Sequence, residues 1–303
     1  MLAYVKGGGN MKKIIHTMLA LLILTSLGAC SSGEATSNSS NETNSTSTVA
    51  TAETKESSKL SVTGKELYND GGIKITLKDS EINPNNIKLP LLIENESNQT
   101  IVVQSRNVSI NEVMADSILS AEVAPGKKSN ESLDLYLLDS RTSFESVSKI
   151  EFNFYIFDND SWNEIATTDT ITVDTSDSSY EYIPNSDGET IYDENNIKVV
   201  YQGLNDDLFG IDALFYIENN SSEPICVQTR DSSINGFMID SIMSTEIMPG
   251  KKAYTDMSFL SSELEENDLS LDNFENLEFS FHIFNDNTWD TITDTGVITI
   301  TNK

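Results

Sequence analysis

The stretch SINEVMADSILSAEVAPGKK occupies residues 109–128, and a closely similar stretch, SINGFMIDSIMSTEIMPGKK, occupies residues 233–252. The two stretches are offset by 124 residues, and Asn95 and Asn219 align at the same offset, 219 − 95 = 124. At this offset about 20 of the 35 positions in residues 94–128 are identical to their counterparts. Self-similarity over so long a window indicates an internal duplication. The repeat is too long for a solenoid unit and fits a small domain, so we expect two copies of one domain.

A second block of similarity follows at an offset of 289 − 162 = 127, after a three-residue insertion in the later copy. It aligns five large apolar side chains, which are Phe152, Phe154, Ile156, Phe157 and Trp162 in the first copy and Phe279, Phe281, Ile283, Phe284 and Trp289 in the second. We therefore assign residues 59–175 to the first domain, 176–188 to a linker and 189–303 to the second domain. The linker is polar, and we expect two independent domains joined by it.

Each copy consists of short segments that alternate apolar with polar residues or are β-branched and aromatic, which is typical of strands. In the first copy these segments are residues 73–77, 101–104, 132–135, 151–157 and 170–173. Turn residues separate them, at 95–98, 111–112, 125–126 and 158–161. The pattern predicts an all-β fold of two tandem immunoglobulin-like β-sandwiches. Only residues 260–277 are expected to contain a helix, with Ser261 or Ser262 as its N-cap.

The N-terminus has the features of an export signal. A short basic segment and an apolar run at residues 14–24 are followed by Leu-Gly-Ala-Cys, which ends at Cys30. This pattern is typical of a secretory signal that ends in a lipobox, and in it the chain resembles bacterial lipoproteins. The resemblance implies cleavage before Cys30, whose thiol then carries a diacylglycerol and, with fatty-acyl chains such as palmitate, forms a membrane anchor. We assign residues 1–29 to the leader and signal peptide, with Met11 as the true start. An uncleaved short anchor helix is the alternative.

Residues 30–58 are predicted to be the lipidated cysteine and a disordered tether, because Ser, Thr and Asn dominate and large apolar side chains are almost absent. The whole chain has a net charge of −29, and loss of the three lysines before Cys30 makes it 16 − 48 = −32. So acidic a chain repels nucleic acid, and we expect none as a partner. The predicted location is the extracytoplasmic face of the cell membrane, held by the N-terminal lipid.

Both copies carry the motifs Ser-Ile-Asn-x-x-Met-x-Asp-Ser-Ile-x-Ser-x-Glu-x-x-Pro-Gly-Lys-Lys and Phe-x-Ile-Phe-x-x-x-x-Trp. In these motifs the chain resembles the tandem immunoglobulin-like domains of Gram-positive lipoproteins and membrane-anchored proteins, most of which have no known function. More remotely, its layout is similar to secreted immunogenic antigens with one such sandwich. The resemblance implies the fold and an envelope location, and it supplies no catalytic residue.

Residue types for catalysis are scarce. The chain has two histidines, one in the signal segment and His282, which stands where the first copy has Tyr155 and is expected to face solvent. Of the two cysteines, Cys226 lies in an apolar run and is expected to be a buried, inert thiol. These residues provide neither a zinc site nor a complete catalytic triad, and we find no glycine-rich phosphate loop. The sequence therefore predicts that the protein is not an enzyme.

Two loops rich in Asp and Asn precede the tryptophans of the two copies. Their carboxylates are the candidate ligands for calcium, namely Asp158, Asp160, Asp286 and Asp290. The same residues also form ordinary tight turns, and the spacing of an EF-hand loop is missing. Calcium is the only cofactor that the sequence suggests, and we expect none by default.

Trp162 and Trp289 either contact a ligand or cap the sandwich core. The core interpretation is favoured because both occupy the same place in the repeat and are followed by isoleucines.

Arg106 and Arg230 are isolated cations in an acidic chain, so they are also candidate ligand contacts. Internal ion pairs with Asp116 or Asp240, or with another acid, are the favoured interpretation.

The features above favour a cell-surface lipoprotein that acts as a non-catalytic binding or interaction module for an extracellular or envelope protein or glycan. Two weakly binding copies on one anchor would gain avidity toward repetitive material. A structural or envelope-maintenance lipoprotein without a specific ligand is the alternative, and a hydrolase is a remote one because a sandwich can host almost any site.

Overall fold

The computed structural model describes residues 59–301, apart from residues 138, 140 and 207. The predicted signal peptide, the start at Met11, Cys30 and the tether lie outside these residues. Within the described part of the chain, no helix is both long enough and apolar enough to cross a membrane.

The described part of the first copy forms thirteen strands. They are β1 Leu60–Val62, β2 Lys65–Asp70, β3 Ile73–Leu77, β4 Ser80–Ile82, β5 Ile87–Asn95, β6 Ile101–Ile110, β7 Val113–Met114, β8 Asp116–Ile118, β9 Ser120–Val123, β10 Lys127–Tyr136, β11 Lys149–Asp158, β12 Glu164–Thr167 and β13 Ile171–Asp174. One sheet has the order β2-β3-β5-β10-β8, and the other is built on β6 and β11, with β7 and β9 paired to β6 and with β12 and β13 paired to β11.

The second copy repeats this arrangement. Its elements are β14 Glu189–Glu194, β15 Ile197–Asp206, β16 Gly210–Asn219, β17 Ile225–Ile234, β18 Phe237–Met238, β19 Ser244–Ile247, β20 Lys252–Leu260, α1 Ser261–Glu266, a 3₁₀ turn Leu271–Asn273, β21 Asn276–Asn285, β22 Thr291–Asp294 and β23 Ile298–Thr301. Strands β14, β15, β16 and β20 form one layer, and β17 and β21 with their neighbours form the other. The protein is therefore all-β, with two tandem immunoglobulin-like sandwiches.

Each sandwich has its own hydrophobic core because alternate residues of its strands point inward. Phe152, Phe154 and Ile156 of β11 are fully buried in the first core. Phe279 and Phe281 of β21 occupy the matching places in the second. The period-two pattern that predicted the strands is thus also the pattern that fills the cores.

A buried asparagine fixes the same turn in both copies. The side-chain amide of Asn95 donates to the carbonyls of Gln99 and Val123, both at 2.8 Å, and its oxygen accepts from the backbone of Ser97 at 2.9 Å. Asn219 donates to the equivalent carbonyls of the second copy at the same distances. Because a buried amide is costly unless its hydrogen bonds are made, this network specifies the turn.

The helical segment is shorter than predicted. The α-helix covers only Ser261–Glu266, and Leu260 occupies the N-cap position without a side-chain hydrogen bond, so neither predicted serine is the cap. From Asn276 the chain is already strand β21. The core-facing alternation of β21 overrides the local helical pattern at this end.

The two copies are in contact. Val113 of β7 pairs in parallel with Lys252 of β20, and the backbone N–H of Lys252 donates to the carbonyl of Glu112 at 2.9 Å. Lys251 forms an ion pair with Glu151 across the same junction. We expected independent domains on a polar linker, whereas in the structure a sheet runs continuously from one copy into the other.

The linker contributes to this junction. The hydroxyl of Tyr254 in the second copy donates to the linker carbonyl of Asn185 at 3.0 Å. Arg141 belongs to the first copy. Its guanidinium lies 5.4 Å from the centre of the Tyr254 ring and donates to Asp256 of the second copy at 2.7 Å. Burial at this junction raises the pKa of Tyr254. The domain boundaries, and the ability of each copy to fold alone, stay predictions.

Candidate functional site

The most prominent candidate site is a strip of stacked side chains that occurs once on each copy, on the hairpins β11–β12 and β21–β22. We call Tyr155, Phe157 and Trp162 the first aromatic strip. Trp162 stacks on Phe157 with ring centres 5.5 Å apart and planes 17° apart, and Phe157 lies 5.5 Å from Tyr155. Because residues 155 and 157 are two apart on one strand, they share the face that points away from the core.

The second aromatic strip consists of His282, Phe284 and Trp289. Trp289 stacks on Phe284 at 5.4 Å with planes 15° apart, and His282 lies 5.1 Å from Phe284. The stack of tryptophan on phenylalanine is therefore reproduced almost without change. The third member differs, since an imidazole replaces a phenol.

Both tryptophans lie at the surface, so the favoured expectation that they cap the core is wrong. Trp162 is 70% exposed and Trp289 is 52% exposed, whereas the phenylalanines beneath them are buried. The physical reason is the direction of the hairpin loop, which places each indole on the outer face of its sheet. Each indole thus covers one side of a phenylalanine and leaves its own outer face open to solvent.

The backbone of both tryptophans is in the left-handed region, with φ of 60° at Trp162 and 66° at Trp289. For a bulky L-residue this conformation is an outlier that costs about 1–2 kcal/mol relative to the right-handed one. Both copies bear this cost at the same position of the repeat. The strain is therefore a property of the repeated loop.

The first loop is held by a carboxylate. The Oδ1 atom of Asp158 accepts hydrogen bonds from the backbone N–H groups of Asp160 at 3.1 Å and Ser161 at 2.6 Å. The carbonyl of Asp158 accepts from the N–H of Trp162 at 2.9 Å. The hydrogen bonds from Ser161 lower the pKa of Asp158 below its ordinary value.

The second loop is held by an amide in the same way. The Oδ1 atom of Asn285 accepts from the N–H groups of Asn287 at 2.9 Å and Thr288 at 3.0 Å. Its carbonyl accepts from the N–H of Trp289 at 2.8 Å. A neutral and a charged side chain thus build the same turn, because both offer an oxygen at the same place.

The predicted calcium ligands belong to these turns. The carboxylate of Asp158 is engaged with backbone N–H groups, which is the ordinary tight-turn alternative. Among residues 59–301, with their three gaps, no group of three or more His, Cys, Asp or Glu side chains converges on a metal-sized space. Calcium at Asp158, Asp160, Asp286 and Asp290 stays a prediction that titration of the protein with Ca²⁺ would test.

Arg106 lies beside the first aromatic strip. Its guanidinium carbon is 5.7 Å from the centre of the Tyr155 ring, and its Nη2 donates to Gln104 at 2.6 Å. The predicted ion pair with Asp116 is wrong. Burial raises the pKa of that carboxyl, as expected for a group without a cationic neighbour.

Arg230 lines a shallow depression of about 200 Å³ together with Met238 and Asp240. The ion pairs of the described residues do not include Arg230, so its predicted pair with Asp240 is also wrong. Both arginines are exposed.

His282 does not face open solvent as expected. Only 13% of its side chain is exposed, and its Nδ1 lies 2.6 Å from a carboxylate oxygen of Asp294. Since His282 also lies against Phe284, it takes the place in the second strip that Tyr155 has in the first.

Cys226 lies in β17 and is buried, as the sequence predicts. Burial raises its thiol pKa to about 11, so the thiol is neutral and unreactive near neutral pH.

No protein-family profile and no curated protein matches this chain. Among solved structures, the YadV chaperone is 14% identical with a TM-score of 0.24, over 72% of this chain and 92% of the chaperone chain. The Salmonella enterica SafA pilin in complex with the SafB chaperone gives 10% identity and a TM-score of 0.18, over 71% of this chain and 89% of that one. At these TM-scores neither likeness carries an argument, and the fold class follows from the sheets themselves.

Proposed function

We propose that this protein is a cell-surface lipoprotein whose two copies form a non-catalytic extracellular binding module, and that the two aromatic strips are its ligand-contacting surfaces. The single observation that carries the proposal is the exposed, left-handed tryptophan found at the same position of both copies.

Stability gives little reason for this arrangement. An indole that stays mostly exposed gains little from burial, and its left-handed backbone adds a cost. Strained residues of this kind collect at ligand-binding sites, where the surrounding structure holds them in the conformation that function needs. A ligand that contacts both tryptophans is the best explanation for the same strained, exposed conformation in both copies.

The strips favour a ligand with flat, weakly polar faces. An open indole face stacks on the C–H side of a sugar ring or on an extended apolar peptide segment. Arg106 and Gln104 border the first strip and supply donors that orient such a ligand. Two strips on one chain would bind repetitive envelope material with an avidity that neither has alone.

Tryptophan fluorescence tests the proposal directly, because the chain has two tryptophans and both belong to the strips. Cell-wall polysaccharide and solubilised envelope protein are titrated separately into the protein. We expect a saturable blue shift with one of them and protection of both indoles from iodide quenching. Trp162→Ala and Trp289→Ala should each weaken binding by about tenfold or more, and the double variant should abolish it.

Tyr136→Ala is the matched control, since it removes an exposed aromatic ring from strand β10, which lies in the other sheet of the first copy. It should bind as the unchanged protein does. The binding role of the strips is wrong if neither the polysaccharide nor the envelope protein changes the fluorescence, or if the tryptophan variants bind normally. Either result would favour the alternative of a structural lipoprotein without a specific ligand.

The lipid anchor is tested by Cys30→Ser, because one lipidated thiol is the proposed attachment. The variant should appear in the medium or accumulate as unprocessed precursor after cell fractionation. Unchanged gel mobility together with unchanged membrane retention would contradict the lipoprotein assignment.

A further inference from the structure

The junction between the two copies joins two different parts of the repeat. The part from the first copy is the tip of the hairpin formed by β6 and β7, residues 111–114, which we call a hairpin tip. The part from the second copy is the Pro-Gly-Lys-Lys turn that begins β20, residues 249–252, which we call a lysine turn. Because the repeat carries both parts, each copy also has the part that the junction does not use.

Three kinds of contact hold the junction together. The backbone of Val113 pairs with Lys252 along the open edge of β20. Met114 packs against the second core. Glu151, in the strand beside the hairpin, forms an ion pair with Lys251 of the lysine turn.

The unused hairpin tip of the second copy, residues 235–238, is exposed and apolar. Phe237 is 48% exposed and Met238 is 70% exposed. Of their counterparts, Val113 is buried in the first core, and Met114 is half-buried against the second core. The pairing behind the tip is the same in both copies, since Ser109 pairs with Met114 and Ser233 pairs with Met238. The second tip thus has the geometry of the first without the neighbour that covers it.

The unused lysine turn of the first copy, residues 125–128, has the geometry of the occupied one. Lys128 pairs with Glu94 as Lys252 pairs with Glu218. In this register the backbone N–H of Lys252 points to the outer edge of its strand, where it meets Glu112. The N–H of Lys128 must point the same way. Among the described residues β8 covers β10 only from Asp134 onward, so within this part of the chain the start of β10 is an open edge.

One of the two ion pairs of the lysine turn can be reproduced; the other, between Lys252 and Glu112, has no counterpart because residue 236 is glycine. The counterparts of the ion-paired Glu151 and Lys251 are Glu278 and Lys127. Glu278 lies in the same cross-strand row as Ser233 and Met238, and Lys127 is exposed. In the described part of the chain neither side chain belongs to an ion pair. A second molecule can bring these opposite charges together.

We infer that the protein self-associates head to tail, with the hairpin tip of the second copy docked on the lysine turn of the first copy of another molecule. Such an interface is heterologous, so each added molecule again exposes one tip and one turn, and open chains or rings result. Gly236 replaces Glu112 and removes one carboxylate, while Phe237 replaces Val113 and adds apolar area. The chain after the leader has a net charge of 16 − 48 = −32, and this charge opposes association. Association should therefore strengthen with salt that screens the repulsion.

Sedimentation velocity tests this inference on the unlipidated chain from Ser31 onward, which keeps the compact unit Lys55–Lys303 intact. We expect a concentration-dependent rise in mass beyond a dimer. Glu278→Lys and Lys127→Glu should each weaken association about tenfold or more, because each places like charges opposite one another. Neither residue is a member of an aromatic strip, so the result does not depend on the proposed ligand.

Mixing the two variants is the decisive measurement. When the variants alternate along a chain, every junction joins a lysine to a glutamate, either in the original arrangement or with the two charges exchanged. The mixture should therefore associate at least about tenfold more strongly than either variant alone. Glu265→Lys and Lys59→Glu, which make the same charge changes at exposed sites elsewhere, should associate normally.

Three results would each overturn the inference. The first is an unchanged protein that stays monomeric up to about 1 mM, a concentration at which even a weak specific contact is populated. The second is normal association of the single variants Glu278→Lys and Lys127→Glu. The third is a mixture of these variants that stays monomeric.

Discussion

The two copies have the same fold, yet the same hairpin tip is buried in one and exposed in the other. The backbone of Val113 pairs with Lys252 and Met114 packs against the second core, whereas Phe237 and Met238 are exposed. Strand register and turn geometry agree in the two hairpins, although Gly236 and Phe237 stand where the first copy has Glu112 and Val113. The difference teaches that in a duplicated chain the role of a surface depends on its neighbour as much as on its own residues.

A second comparison concerns the loops that carry the tryptophans. Asp158 holds the first loop and Asn285 holds the second, with the same pattern of accepted hydrogen bonds. The geometry is therefore shared, but only the first loop contains a holding group that titrates. Substitutions in matched positions of the two copies test both differences.

The largest effect should come from the cores. Phe154→Ala and Phe281→Ala each remove a fully buried ring and should each cost about 3–5 kcal/mol in free energy of unfolding. Chemical denaturation followed by a single tryptophan, Trp162 in a Trp289→Phe background or the reverse, reports on each copy separately. We expect the tryptophan in the substituted copy to report most of this loss in free energy of unfolding. Coincident shifts of both probes would show that the copies unfold as one unit.

The junction gives the next largest effect, and the chain offers a matched pair of methionines. Met114→Asp places a charge in the contact with the second core and should cost about 1–3 kcal/mol. Met238→Asp makes the same change at the exposed tip and should stay within about 0.5 kcal/mol, measured by denaturation at low protein concentration. Equal losses would mean that the two tips are not in different environments.

The exposed tryptophans should matter less. Trp162→Ala and Trp289→Ala should each cost about 0.5–1.5 kcal/mol, because each removes one stacking contact from the surface. Trp162→Gly should be more stable than Trp162→Ala by about 1 kcal/mol, since glycine adopts the left-handed backbone without strain. Thermal unfolding followed by circular dichroism measures both. A loss of about 3–5 kcal/mol would restore the core interpretation.

The smallest effect is a difference in acid sensitivity between the loops. The pKa of Asp158 is lowered by folding, so its contribution is fully present above the unfolded-state pKa and is lost as pH falls through the lower folded pKa, below 3.8. In the single-tryptophan proteins, acid should change the emission of Trp162 before that of Trp289. Asp158→Asn should remove this difference. Identical acid profiles in the unchanged loops would contradict the assigned role of Asp158.

The strands were predictable because alternation is a local property. Residues 73–77 form a strand with the expected bounds, and 151–157 lie within the longer β11. The prediction of 101–104 ends too early, because β6 continues to Ile110. Its polar middle contains Asn107 with a φ of 53°, where the pairing with β11 shifts register and the alternation is interrupted.

The candidate sites were only partly predictable. The sequence singled out both tryptophans and both arginines, but it favoured a buried role for the former and ion pairs for the latter. It missed Phe157 and Tyr155 as partners of Trp162, although their spacing of two on one strand was a usable signal. It also missed the buried hydrogen bonds of Asn95 and Asn219, whose recurrence in both copies pointed to a shared turn.

The sequence by itself determined the duplication, the all-β class and the position of most turns, because each of these depends on residues close together in the chain or on the comparison of one copy with the other. Only the tertiary structure decided which face of the sheet the indoles cover, which hairpin tip is buried and how the linker is held. These depend on contacts between residues far apart, such as Arg141 with Asp256 and Glu151 with Lys251. A local pattern records that a side chain is apolar or charged, but its partner is set by the packing of the whole fold.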